Sequence, residues 1–291
     1  MINICTVGDS KYLAQGLVLF ESIKNETTTP FKFHFLCINE DDYKKYNNKI
    51  DGIIFYNVRD FIQKSKALKK LFDTDYKYFC WSLASFFSYY LLEYEKCQSI
   101  LYIDSDICFY RDVQTLLNKF IDKDCAIFRH RQFELNSNRP EGLYNVGVVY
   151  FKNNNNGIKV SGWWADAVLN KKYPALATCG DQKYLEYFPQ LIGDENIYID
   201  GDVGHGAPWL WQLYQLDDIN TGLIMWENKK QEYYFTHFSQ FKFCVTSKTF
   251  THSVMHECYT NNNKIFENKE LNKHYQNYFN SILDIYSKFD I

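Results

Sequence analysis

At 291 residues, with 46% apolar and 19% aromatic side chains, the chain is long enough for one large α/β domain, or one domain with a small appendage. A net charge of −3, without a basic block of roughly five or six residues, excludes a general nucleic-acid binder, which needs a Lys/Arg stripe to displace counterions. The opening Met1-Ile2-Asn3-Ile4-Cys5 does not read as a secretory signal, and no run of about 18 apolar residues suggests a membrane span. The nine cysteines, without a CxxC spacing, read as reduced core thiols of a cytosolic protein.

A β-rich run over 2–7 precedes apolar residues at helical spacing over 13–23 (Leu13, Leu17, Phe20, Ile23). A second strand is predicted over 31–38, a polar helix over 40–48, a third strand over 53–58 and a Lys-rich amphipathic helix over 61–72. Residues 78–94 are apolar nearly all round, as in a buried helix. A fully buried strand follows over 99–103, then a short helix over 113–120 with Asp112 as its N-cap, and another strand over 125–128. This rhythm predicts a mostly parallel sheet with helices on both faces and functional residues just after the strands. The second half is less regular. A surface turn at 153–156 separates a strand over 146–151 from a helix over 158–169, and a short helix is read over 181–187. The stretch 193–211 is rich in loops, and 233–238 is a final strand. The tail, 264–291, repeats apolar residues at helical spacing with balanced charge. It is read as a helix packed on the parent domain, with docking to a partner or a membrane surface as the alternative.

The strongest chemical signal is Ile103-Asp104-Ser105-Asp106, where two carboxylates at i and i+2 leave the end of a buried strand. Side chains at that spacing fall on one side of an extended chain and repel each other unless a cation lies between them. Hard oxygen ligands point to Mg²⁺ or Mn²⁺ with positions left for diphosphate oxygens. The bland alternative is a pair of loop or capping aspartates.

The order of motifs resembles the GT-A glycosyltransferases, and among them family 8 and its bacterial relatives, over roughly residues 2–242. The resemblance implies that Asp9 and Tyr12, with Thr6 beside them, hold the base of a nucleotide, most naturally UDP. It implies that Asp104-Ser105-Asp106 is the D-x-D, and that Asn145-Val146-Gly147 is a strand entry facing the donor sugar. It also implies that Gly180-Asp181-Gln182 carries a carboxylate near the reacting carbon, and that His237 is a third metal ligand. Gly204-His205-Gly206-Ala207-Pro208-Trp209 resembles a loop of the bacterial relatives, so that His205, Gly206, Pro208 and Trp209 line the sugar or acceptor side. Each match keeps a bland counterpart: Asp9 and Asp181 as helix caps, Tyr12 and His237 as core residues, Asn145 and Gly147 as a turn.

Two departures stand out. The family's H-x-x-G-x-x-K-P-W is here His237-Phe238-Ser239-Gln240-Phe241-Lys242-Phe243, which leaves Lys242 as a candidate diphosphate contact. The family's arginine before the D-x-D is absent; Trp81 lies in that region, so phosphate neutralisation falls to Lys66 or Arg131. The expected protein is a GT-A, Rossmann-like α/β fold with a catalytic domain over 1–243 and a C-terminal helical extension over 244–291. The catalytic domain divides into a nucleotide half over 1–130 and a sugar half over 131–243. The expected activity is a metal-dependent, anomer-retaining transfer of a hexosyl or N-acetylhexosaminyl group from a UDP-sugar to a glycan, lipid-linked or protein acceptor, as in polysaccharide biosynthesis. The expected place is the cytoplasm, including the inner face of the membrane. The alternatives are a sugar nucleotidyltransferase, disfavoured because Val7-Gly8-Asp9-Ser10-Lys11 is a poor phosphate loop, and a non-catalytic nucleotide-sugar or carbohydrate-binding protein.

Overall fold

The structure is a computed structural model, and it describes residues 1–131, 140–214, 222–252, 267–289 and 291. The chain begins β1 (Ile2–Gly8), α1 (Leu13–Glu26), β2 (Phe31–Cys37), α2 (Glu40–Tyr46), β3 (Ile53–Asn57), α3 (Val58–Lys64) and α4 (Lys66–Thr74). It continues with α5 (Tyr76–Glu93), β4 (Ser99–Ile103), β5 (Ile107–Phe109), α6 (Val113–Asn118), β6 (Cys125–Arg129), β7 (Tyr144–Lys152) and α7 (Asn155–Leu169). Then come α8 (Phe188–Ile192), β8 (Ile197–Ile199), β9 (Val203–Gly206), β10 (Leu223–Trp226), β11 (Lys229–His237), β12 (Lys242–Cys244), β13 (Thr249–Thr251) and α9 (Lys269–Phe289). These elements form two compact units. The first comprises Met1–Lys11, Thr29–Asp104 and Asn118–Asp200; the second comprises Tyr12–Thr28, Ser105–Leu117 and Gly201–Ile291.

The first unit is built on a seven-stranded sheet in the order β3-β2-β1-β4-β7-β6-β8. All neighbours are parallel except β7, which runs antiparallel to both β4 and β6. That reversal brings the start of β7 beside the carboxyl ends of the parallel strands, where Ile103 pairs with Val148. Helix α5 fills the core beneath, with Phe79, Leu83, Phe87 and Leu91 fully buried. Its serines are tolerated there because each hydroxyl finds a carbonyl of the preceding turn. Ser82 donates to Phe79 O (2.7 Å), Ser85 to Ser82 O (3.0 Å) and Ser88 to Ala84 O (2.8 Å).

The helix read over 61–72 is in fact two. Ser65 ends α3 and caps α4, its Oγ accepting from Leu68 N at 3.3 Å. The asparagines at 153–156 are more than a surface turn. Asn154 caps α7 by accepting from Gly157 N (2.9 Å), while Asn153 Nδ2 donates to Leu92 O (3.0 Å) and Cys97 O (2.7 Å) behind α5.

The second unit holds a smaller sheet in the order β10-β11-β5, with β9 also paired to β11. Helix α9 packs its apolar face inside this unit through Leu271, Tyr275, Tyr278, Phe279, Ile282 and Ile285. Phe238 stacks on Tyr278 with ring centres 3.7 Å apart, and Tyr278 OH accepts from Gln15 Nε2 at 3.2 Å. His274, buried on the same helix, is pushed down to about 4 by desolvation and meets Thr236 Oγ1 at 2.7 Å. The tail is therefore a packed helix of this unit.

Candidate active site

In the first unit, three chain segments reach the carboxyl edge of the large sheet. Asp104 directly follows β4, and its N–H donates to Gly147 O (2.8 Å) at the start of β7. The Asp104 carboxylate accepts a hydrogen bond from Tyr102 OH at 2.6 Å. Beside it on β7, Asn145 folds its side chain onto Gly147 N (2.9 Å) and donates from Nδ2 to Gln182 Oε1 (3.1 Å). Gln182 also accepts from Val146 N (3.3 Å) and donates to Glu141 O (2.7 Å). Two motifs far apart in the chain, Asn145-Val146-Gly147 and Gly180-Asp181-Gln182, are thus tied together by one glutamine amide.

Asp181 occupies the turn before the 3-10 segment Gln182–Tyr187, yet its side chain makes no capping hydrogen bond. It is 4% exposed, and its Oδ2 has no hydrogen-bond partner among the described residues. Burial first, and the nearby charge of Asp104 second, hold its carboxyl well above the usual carboxylate range. The turn is set by Gly180, at φ 71°, where a Cβ would meet the Trp81 side chain at 2.8 Å. Trp164 Nε1 pins the next carbonyl by donating to Asp181 O at 3.0 Å. At the end of β1, Asp9 Oδ1 accepts from Lys11 N (3.0 Å), a local turn contact rather than a helix cap. Thr6 is fully buried on β1, and its Oγ1 finds no partner among the described residues.

In the second unit, the antiparallel pairing of β5 with β11 does what sequence distance conceals. Ile107 pairs with His237, and Phe238 N donates to Asp106 O at 2.8 Å, so His237 Nε2 comes to 3.1 Å from Asp106 Oδ1. Trp209 lies edge-on to His237 with ring centres 5.5 Å apart, and His205 stacks on Phe235 at 5.3 Å. His205, Gly206, Pro208 and Trp209 are all buried. A Cβ on Gly206 would strike Trp211 and Tyr233, so only glycine lets these rings close over β9. Tyr12 is 38% exposed at the start of α1, and Lys242 is exposed at the start of β12. No hydrogen bond or ion pair joins Lys242 to the cluster among the described residues.

Asp104 is linked through the single residue Ser105 to Asp106. Within the second unit, Asp106 and His237 bring a carboxylate and an imidazole together, two donors of a candidate metal site. The sequence profile described as Glycosyl transferase family 8 matches residues 3–192, well over half of the chain. The chain belongs to glycosyltransferase family 8.

A relative of this family-8 chain is the "Uncharacterized protein YfnF" of Bacillus subtilis (strain 168), 27% identical over 203 residues. The match covers 65% of each of the two proteins, so the chain spans just under two thirds of that relative. Among solved structures, mouse xyloside xylosyltransferase 1 matches with a TM-score of 0.52 at 13% identity, over 82% of this chain and 97% of that one. The galactosyltransferase LgtC, solved with donor and acceptor sugar analogues, matches with a TM-score of 0.55 at 14% identity, over 82% and 87%. An active-site mutant of LgtC reaches 0.57 at 13% identity, over 89% and 94%. These likenesses show the GT-A fold.

Two further features were not legible in the motifs. Trp81 supports the Gly180 turn, with Lys77 Nζ 4.6 Å above its ring. Arg131, a candidate for the phosphate, is instead buried against Asp200, its Nη2 2.8 Å from Oδ2 with both side chains 0% exposed. Burial raises the Asp200 pKa, and Arg131 counteracts that shift. Lys66 is exposed at the start of α4. Among the described residues, no helix is long and apolar enough to cross a membrane.

Proposed function

We propose that this chain transfers a hexosyl or N-acetylhexosaminyl group from a UDP-sugar to a glycan, lipid-linked or protein acceptor, with a divalent ion and with retention of anomeric configuration. The observation that carries the reading is the meeting of Asp106 with His237 at the D-x-D. The domain proposed to do this spans 1–243, with 1–130 for the nucleotide, 131–243 for the sugar, and 244–291 as a helical extension. The proposed setting is the cytoplasm, at the inner face of the membrane where the acceptor is lipid-linked.

The residues fit a divalent ion by their chemistry. Two carboxylates and one imidazole give an O, O, N donor set, which suits Mn²⁺ and, through the oxygens, Mg²⁺. Asp104, Asp106 and His237 would hold the ion, which supplies Lewis-acid neutralisation of the diphosphate and offsets the Asp104 charge felt by Asp181.

Asp9 and Tyr12 are assigned to the base, with Thr6 behind them. The short turn contact of Asp9 and the exposed ring of Tyr12 support this better than capping and core roles do. Asn145 and Gln182, locked to each other, orient sugar hydroxyls. When the bond from the anomeric carbon to the diphosphate breaks, its electron pair leaves on the nucleotide, and the sugar carbon becomes electron-poor. Asp181 is assigned to face that positive charge as the acceptor oxygen forms the new bond and gives its proton to the departing diphosphate; its burial and its lack of a capping bond support this. Lys242 is assigned to the diphosphate, and the buried His205, Gly206, Pro208 and Trp209 shape the sugar or acceptor wall.

The test is calorimetric titration of UDP in Mn²⁺ and in chelator, followed by a panel of nucleotide sugars screened for donor hydrolysis. Equal UDP affinity in both conditions would overturn the metal assignment. Donor binding without any turnover would favour a non-catalytic nucleotide-sugar binder.

A further inference from the structure

Tyr102 belongs to none of the motifs, yet it touches the D-x-D more closely than any other side chain of the first unit for which a bond is described. It lies on β4 two residues before Asp104, the spacing that puts two side chains on one side of an extended chain. Its ring is 4% exposed and its hydroxyl donates to Asp104 Oδ1 at 2.6 Å, the short distance of a hydrogen bond to a carboxylate. The backbone that carries it is held on both sides, by Cys5 of β1 and Val149 of β7.

We propose that Tyr102 is a positioning residue for the first carboxylate of the D-x-D. Its hydroxyl fixes the rotation of the Asp104 side chain before donor and ion arrive. The proposal rests on the reading of Asp104 as a metal ligand. A carboxylate at a strand end turns about two single bonds, and each orientation it samples must be given up on binding. A hydrogen bond from a ring that cannot move removes that freedom in advance. A purely structural tyrosine would act through its ring, which fills the core. Phenylalanine keeps the ring and deletes only the hydroxyl, so it separates the two roles.

The experiment measures Mn²⁺ binding in the presence of saturating UDP, from the electron paramagnetic resonance signal of the free ion, for wild type and Tyr102→Phe. The variant is expected to melt close to wild type and to bind Mn²⁺ about tenfold more weakly, at the low end of what loss of an outer-shell partner costs. Half-maximal donor hydrolysis should then need about tenfold more Mn²⁺, with the donor KM at saturating Mn²⁺ unchanged. Tyr150→Phe, at a buried β7 tyrosine packed on Phe120, is the control and should leave Mn²⁺ affinity untouched. Wild-type Mn²⁺ affinity in Tyr102→Phe would overturn the positioning role while leaving the metal site standing. A wild-type protein that binds no Mn²⁺ with UDP would overturn the metal reading, and the positioning role with it.

Discussion

Replacing Asp181 by asparagine removes a charge and little else. The side chain is 4% exposed, its Oδ2 has no partner among the described residues, and it caps nothing, so no capping bond is lost. In the ion-free protein its carboxyl is held above the usual range, by burial first and Asp104 second. The sign follows from linkage. A raised folded-state pKa means the folded chain holds this proton more tightly than the unfolded one. The group therefore costs nothing below the unfolded value of 3.8, and destabilises increasingly as pH rises toward the folded value. Asparagine is free of that penalty. By linkage, a folded-state pKa one above the unfolded value costs about 1.4 kcal/mol once pH exceeds both, and each kcal/mol moves Tm by about 2–4 °C in a chain of roughly this size. Asp181→Asn in chelator should therefore melt several degrees above wild type at pH 7, with the advantage vanishing as pH falls to about 4. Its kcat should fall on the order of a hundredfold while donor binding stays normal, because the charge it opposes exists only in the transition state. Melting curves across this pH range and UDP-release kinetics in saturating Mn²⁺ make the two measurements. A lower Tm than wild type at pH 7 would refute the electrostatic argument, and an unchanged kcat would remove Asp181 from the chemistry.

Asp9→Ala and Tyr12→Ala should weaken UDP binding without moving Mn²⁺ affinity or Tm, since one side chain makes a local turn contact and the other is 38% exposed; unfolding in either variant would return it to a structural role. Arg131→Met leaves the buried Asp200 carboxylate with the Arg129 N–H but without its guanidinium counter-charge, and should cost about 3–5 kcal/mol in urea denaturation. Wild-type stability would show that the pair is replaceable, and a selective loss of donor affinity instead would restore Arg131 as a phosphate contact.

Local chemistry made much of the first unit legible in the sequence. Alternating strands and helices, the all-round apolar pattern of α5, and a D-x-D leaving an apolar strand all follow from side chains within a few residues of each other. Such patterns survive translation into structure because burial and strand pairing act on them directly. Boundaries decided by a single side chain were less visible: Ser65 splits one predicted helix into α3 and α4, and Asn154 starts α7 early. β8 and β9 went unread within a loop-rich stretch, because strands of three and four residues are too short to show alternation.

Only the tertiary structure decided which distant residues meet. The antiparallel run of β7 puts Asn145 at the carboxyl edge of the sheet and within reach of Gln182, and the β5–β11 register sets His237 against Asp106. It also separated roles that composition cannot distinguish. Asp181 is a buried acid that caps nothing, while Arg131 is committed to Asp200. The cause is the same throughout. Hydrophobic pattern and turn chemistry are properties of neighbouring residues, whereas a carboxylate's charge, partner and accessibility depend on what the fold packs around it.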